Sequence, residues 1–323
     1  MSIIEINGLS KRFGDHEAVK SVSLRVEEGE IFGFLGPNGA GKTTTINMMC
    51  TLIKPTSGTG TVAGWDIVND RNKVRKAIGL VFQETTLDDQ LTAEQNILFH
   101  ALAYGVKTDE RRGRTRELLT LLGLWNRRKD KIRTYSGGMK RRLEMARGLV
   151  HHPRVLFLDE PTLGLDPQTR NVIWEYVLSL REKQGLTIFL TTHYMEEAEH
   201  SDRIAVIDDG KIIAVDTTDN LKNKVGGDTV IISADNNELV ERELREKFSL
   251  APVKEGNLIN VTVQNGERFI PQFLQGIETS IQSLTLTRPT LEDVFLQLTG
   301  RQIREEKVDG KNLIGQPERR RRR

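Results

Sequence analysis

Three groups of residues in this 323-residue chain have the types and spacing that phosphate chemistry requires. The first is Gly36-Pro37-Asn38-Gly39-Ala40-Gly41-Lys42-Thr43, which satisfies G-x-x-x-x-G-K-[ST]. Glycines let backbone N–H groups curl around phosphate oxygens, and a helix starting there aims its positive end at the same charge. Lys42 then reaches the β and γ phosphates, Thr43 holds Mg²⁺ and Thr44 adds a phosphate contact. The second group is Asp159-Glu160, which ends the apolar run 155–158. A buried strand there delivers Asp159 beside the metal, while Glu160, one residue further out, faces an attacking water as general base. The third is Ser136-Gly137-Gly138, where the serine can cap a following helix and its hydroxyl, with the two glycine N–H groups, forms an anion-binding helix start.

Two single residues occupy related places. Gln83 follows the apolar stretch 78–82 and His193 follows 187–191, so both sit at strand carboxyl ends, where open α/β sheets bind ligands. The Gln83 amide can touch both Mg²⁺ and the attacking water. Taken alone, His193 reads equally well as a surface-loop residue, and for Gln83 the non-functional reading is the stronger one.

The elements that must position these groups follow from periodicity. Residues 3–9 and 21–27 alternate apolar and polar as half-buried strands do. Residues 31–35 then form a buried strand leading into the glycine turn and an apolar helix ending near Leu52, the context a phosphate loop needs. From 91 to 124 the pattern is helical, with Thr92 and Gln95 spaced as a capping box. Strand patterns return at 155–158, 187–191, 203–207 and 211–215, with a long helix over 167–183, which predicts an α/β core with a largely parallel sheet. Gly226-Gly227 marks a boundary, beyond which strands at 228–233, 257–263 and 280–286 and helices at 237–248 and 267–276 predict a small α+β domain.

Composition excludes several classes. Residues 301–323 carry nine Lys/Arg against four Asp/Glu, leaving 38 against 41 in residues 1–300, so the body lacks the basic excess of a nucleic-acid binder and the tail is expected to be disordered. Cys50 is the one cysteine, which rules out an intramolecular disulfide and fits a reducing compartment. No apolar run approaches the roughly 20 residues of a spanning helix, and the start Met1-Ser2-Ile3-Ile4-Glu5 has no leader pattern. At a membrane, another subunit must hold this chain. Trp65, Trp125 and Trp174 are expected to pack, and His151-His152 to lie at the surface.

Taken in order, Gly36 to Thr43, Gln83, Ser136-Gly137-Gly138, Asp159-Glu160, Asp166 and His193 resemble the nucleotide-binding subunit of an ABC transporter. The resemblance implies an ABC cassette over 1–221: a P-loop NTPase fold with a RecA-like core, an antiparallel β subdomain and a helical subdomain at about 88–150. The accessory α+β domain is then 226–300. It further implies that Phe13 stacks on adenine, that Gln83 joins the metal to the partner subunit, that His193 contacts the γ phosphate and that Asp166 communicates between paired sites. Ser136, Gly137 and Gly138 would meet the ATP held by the opposite copy, so a homodimer with two composite sites is expected. Tyr135-Ser136-Gly137-Gly138-Met139, with Tyr135 and Met139 where the family usually has Leu and Gln, and Arg288-Pro289-Thr290-Leu291-Glu292-Asp293-Val294-Phe295-Leu296 are similar to daunorubicin-resistance-type ATPases. Those work with a separate permease of about six spanning helices, usually in export, from the cytoplasmic side of the cell membrane. The rival expectation is a soluble ABC ATPase acting on ribosomes or nucleic acid.

Overall fold

The computed structural model describes residues 1–300; the basic tail at 301–323 lies outside them. Two long antiparallel strands, β1 (Ser2–Phe13) and β2 (His16–Glu27), open the chain. Ile4, Ile6, Val22, Leu24 and Val26 are buried on one face, as a period of two dictates. Strand β3 (Ile31–Leu35), buried along its whole length, runs through the glycine loop into α1 (Lys42–Met49). β4 (Ser57–Val62) and β5 (Trp65–Asp66) complete a four-stranded antiparallel sheet of order β2-β1-β4-β5. Helix α2 (Arg71–Ala77) leads to β6 (Ile78–Val81).

Three helices separate β6 from the next strand: α3 (Ala93–Ala103), α4 (Thr108–Leu121) and α5 (Gly137–Leu149). The capping box at the start of α3 is present, with the Thr92 hydroxyl accepting from the Gln95 N–H and the Gln95 side chain accepting from the Thr92 N–H. Then come β7 (Val155–Asp159), α6 (Pro167–Gln184), β8 (Thr187–Thr192), the short α7 (Met195–Ala198), β9 (Arg203–Asp208) and β10 (Lys211–Asp216). The main sheet has order β10-β9-β3-β8-β7-β6 and is parallel except for the β9–β10 pair. Because it is covered on both faces, its central strands are continuous apolar runs. Phe189 stacks on Phe32 and lies against Phe34 and Phe157 with ring centroids 5.5 to 5.7 Å apart. Parallel strands also bring the carboxyl ends of β3, β6, β7 and β8 to one edge, where all the single functional candidates of the phosphate type gather.

The remaining chain forms α8 (Thr218–Val225), β11 (Asp228–Ala234), α9 (Asn237–Phe248), β12 (Val253–Glu255), β13 (Leu258–Val263), α10 (Gly266–Gly276), β14 (Ile281–Thr287) and α11 (Leu291–Thr299). From β11 to β14 this is a β-α-β-β-α-β unit with antiparallel order β12-β13-β11-β14, the split β-α-β arrangement of ferredoxin-like domains. Its core is Val230, Ile232, Val240, Leu244, Ile259, Val261 and Phe273. Helix α11 does not join that core. Leu291, Val294 and Phe295 bury themselves against Leu35, Ala198, Ile204, Val206 and Leu221 of the first domain, while Leu296 and Leu298 remain exposed. Among the described residues no helix is long and apolar enough to cross a membrane.

Candidate functional site

The glycine loop has the backbone its composition demands. Gly41 has φ of 98°, a left-handed value that favours glycine, and a Cβ there would sit 2.5 Å from the Ala18 carbonyl oxygen. Lys42 is buried, and its Nζ donates to the carbonyls of Gly36 at 2.9 Å and Pro37 at 3.1 Å and pairs with Glu160 Oε1 at 3.1 Å. Burial lowers its pKa, with Glu160 and Asp159 pulling the other way.

Asp159 ends β7 and accepts from Thr191 Oγ1 at 2.5 Å and Thr43 Oγ1 at 3.3 Å. Burial raises its pKa despite those two hydroxyls, so a cation beside it would relieve an unfavourable charge. A hydroxyl and a carboxylate are hard oxygen donors that fit Mg²⁺. Among the described residues no cluster of three or more His, Cys, Asp or Glu could hold a metal by itself.

Glu160 has φ of 47°, the left-handed region for a residue with a side chain. The chain thus turns sharply off β7, held by the Glu160 N–H donating to the Thr191 carbonyl at 3.2 Å and hydroxyl at 3.1 Å. Such backbone costs about 1 kcal/mol or more and persists where surrounding contacts impose it. Burial pushes the Glu160 carboxyl up, but His193 and Lys42 together outweigh it and hold the group below its ordinary value. His193 Nδ1 lies 3.4 Å from Glu160 Oε1, and the Gln83 amide nitrogen is 3.5 Å from Glu160 Oε2. Gln83 therefore sits against the carboxylate of Glu160.

Lys42, Glu160, His193 and Gln83 line one cleft of about 770 Å³, which also takes in the half-exposed ring of Phe13 and Asn38, Gly39, Gly41, Thr43 and Thr44, while Asp159 stands behind it, bonded to Thr43. His16, Arg170 and Tyr194 line it as well, and the sequence offered no motif for them. His16 is brought in by its pairing with Phe13 across the β1–β2 turn. Arg170 lies over the Tyr194 ring at 4.3 Å.

Ser136, Gly137 and Gly138 are not among the residues lining this cleft. Ser136 caps α5, accepting from the Met139 N–H at 3.3 Å. Gly138 packs so closely that a Cβ would meet Thr169 Cγ2 at 2.4 Å. Thr169 in turn donates its N–H and hydroxyl to Asp166, the cap of α6, at 3.0 and 2.6 Å. Asp166 thus lies one side chain away from the Ser136 turn. Tyr135 is buried, its hydroxyl donating to the Arg127 carbonyl at 2.8 Å.

Glu197 of α7, 3% exposed, accepts from the Thr162 hydroxyl. Burial pushes its carboxyl up to about 7, against the pull of Thr192, Arg170 and His193. A raised folded-state pKa means the associated stability is present below the ordinary carboxylate range and is lost as pH rises through about 7. Glu197→Gln should flatten that decline, by about 2 to 3 kcal/mol at most, in urea unfolding compared at about pH 5 and about pH 8. An undiminished pH slope in the variant would contradict the assignment.

A glycine loop feeding a helix, an acidic strand end and a histidine on the neighbouring strand, all on one parallel sheet edge, define a P-loop nucleoside-triphosphate hydrolase. The ABC transporter family model matches residues 19–163, and that of the C-terminal domain of DrrA1-3-like ATP-binding proteins matches 217–299. The chain is 40% identical over 318 residues to the linearmycin resistance ATP-binding protein LnrL of Bacillus subtilis, covering 94% of this chain and 100% of that one. It is also 40% identical to the daunorubicin resistance ATP-binding protein DrrA3 of Streptomyces coeruleorubidus, over 92% and 96% of the two chains. Among solved structures, the dimeric post-hydrolysis state of the ATP-binding cassette MJ0796 bound to ADP and Pi superposes with a TM-score of 0.60 at 30% identity, covering 66% of this chain and 98% of that one. The cbiO1 protein of Clostridium perfringens, part of the ABC transporter complex cbiONQ, gives 0.64 at 26%, covering 76% and 95%. The chain belongs to the ABC transporter ATP-binding proteins of the daunorubicin-resistance type, and is an ATP-binding ATP hydrolase.

Proposed function

We propose that two copies of this chain close around two ATP molecules and reopen after hydrolysis, driving a separate membrane permease of about six spanning helices that exports a drug, lipid or other small molecule. The observation that carries the reading is the convergence of Lys42, Thr43, Asp159, Glu160 and His193 at one sheet edge.

In this reading Phe13 stacks on adenine, the loop from Gly36 to Lys42 with Thr43 and Thr44 wraps the phosphates, and Thr43, Asp159 and Gln83 would hold Mg²⁺, which when bound neutralises phosphate charge. A γ phosphate at the loop draws the Lys42 ammonium away from Glu160, which lies within 3.1 Å of it. Glu160 then takes a proton from water as the water oxygen bonds to the γ phosphorus, the bond to the β–γ bridging oxygen breaks, and ADP and phosphate remain. His193, beside Glu160, orients the γ phosphate. Ser136, Gly137 and Gly138 reach the ATP of the opposite copy, and Asp166 relays the state of one site to the other. The cassette spans 1–221, and 226–300 is an accessory domain whose last helix docks back on the cassette. The chain works at the cytoplasmic face of the cell membrane, held by its permease.

Affinity capture from detergent-solubilised membranes tests this reading. The expected result is co-purification of a polytopic subunit and ATPase activity that responds to it. Soluble recovery with ATPase stimulated by RNA or DNA would favour an ABC ATPase acting on ribosomes or nucleic acid.

A further inference from the structure

The sequence Lys140-Arg141-Arg142 looks like a solvated basic turn of helix, and Lys140 does pair at the surface with Asp89 at 3.0 Å. Arg141 has a different fate. It is 6% exposed and spends its planar fork on four backbone carbonyls from two separate loops. Nε donates to Pro161 at 2.6 Å, Nη2 to Glu160 at 2.8 Å and Gln83 at 3.4 Å, and Nη1 to Phe82. Nη1 also pairs at 3.1 Å with Oε2 of Glu144, which is completely buried. The other oxygen, Glu144 Oε1, accepts from the Thr86 N–H at 2.9 Å. One turn further along, Arg147 donates to the Thr86 carbonyl at 2.7 Å and to its hydroxyl.

Arg141, Glu144 and Arg147 stand three residues apart on one face of α5. The helix that begins at the Ser136 turn is thereby fastened to the loop carrying Gln83 and to the loop carrying Glu160. A guanidinium suits this role because its donors are fixed in a plane, whereas a lysine ammonium is a single point at the end of a flexible stem. The buried pair is locally neutral, and removing one partner alone would strand the other charge.

We propose that Arg141, with Glu144 as its counter-ion, is the positioning residue that holds α5, the Gln83 loop and the Glu160 turn in the arrangement the catalytic step needs. The catalytic carboxylate and the turn offered to the opposite copy then reach their working positions together. This rests on the assigned roles of Glu160 as base and of Ser136 as contact in trans. Neither the phosphate loop nor Phe13 touches Arg141 in the contacts above, so ATP affinity is expected to survive its loss while the catalytic step does not.

Arg141→Lys is expected to lower kcat about 100-fold, the scale of a misplaced catalytic group, with KM for ATP and binding of a fluorescent ATP analogue changed less than about threefold. In the Glu160→Gln background, Arg141→Lys should also weaken ATP-dependent dimer formation, measured by size-exclusion chromatography. Wild-type kcat in a folded Arg141→Lys protein, or a loss of ATP affinity as large as the loss of kcat, would overturn the proposal. Should Arg141→Lys not fold, the paired change Arg141→Met with Glu144→Met removes both buried charges. That protein, if its melting temperature is kept, must show the same kcat loss, and full activity in it would overturn the proposal equally. Glu160→Gln alone separates the two layers: if it forms no ATP-dependent dimer, the underlying reading of the site fails, whereas a dimer lost only on changing Arg141 supports the positioning role.

Discussion

Glu160→Gln should bind ATP at least as tightly as the unaltered protein, lose at least about 100-fold in turnover and accumulate as an ATP-stabilised dimer. The amide keeps the shape of the carboxylate, so the left-handed backbone at Glu160 and its N–H bonds to Thr191 remain. It cannot accept the proton from water. It also removes a negative charge that Lys42 and His193 hold ionised beside the place of the γ phosphate, so the ground-state complex with ATP should tighten as hydrolysis stops. Steady-state ATPase assays and gel filtration with and without ATP check both halves. Unchanged turnover would remove Glu160 as the base.

Ser136→Arg is the second large effect, and its logic is geometric. Within one chain the Ser136 turn is no part of the cleft around Lys42, so a monomeric site would tolerate a bulky cation there. A composite site would not, and activity should fall by about 100-fold or more as the interface fails to close. Mixing makes the test decisive. A dimer of one Ser136→Arg chain and one Lys42→Ala chain retains one site with both halves intact. A dimer of an unaltered chain with a chain carrying both changes has each site broken once. With each heterodimer isolated through a different affinity tag on its two chains, the first should be active and the second should not; equal activity in the two isolated heterodimers would contradict sites shared between copies.

The phosphate loop was legible because its chemistry is local: eight contiguous positions, a preceding apolar strand and a following helix define it with no knowledge of the remainder. The parallel core was legible for a related reason, since strands buried on both faces show as apolar runs at 31–35, 155–158 and 188–190. Long-range partnerships were not legible. Arg141 and Arg142 are adjacent and identical, yet successive helical positions point about 100° apart, and the carbonyls that bury Arg141 come from near residues 83 and 160. Arg142 instead reaches the Leu122 carbonyl and lies over the Tyr176 ring. His151 shows the same limit as a correction. Expected at the surface, its ring stacks on Tyr104 at 4.0 Å and its Nε2 lies 2.8 Å from the Ile78 carbonyl oxygen, because β6 and α3 come up beside it. His152 next to it is exposed. Of the three tryptophans expected to pack, Trp174 is buried and Trp125 packs partly buried on the core with Arg116 and Arg128 over its ring, but Trp65 is 40% exposed with Lys73 over its ring.

The return of α11 to the first domain changes what kind of appendage the ferredoxin-like unit is. It leaves the cassette after α8 through Gly226-Gly227 and comes back through Arg288-Pro289, with α8 and α11 sharing Leu221, Leu291, Val294 and Phe295. The unit is therefore a loop of fold moored at both ends, like a handle. With both ends tied to the cassette, it cannot drift away from it. Because one mooring lies against Leu35, the residue just before the phosphate loop, the handle is seated on the strand that feeds Lys42.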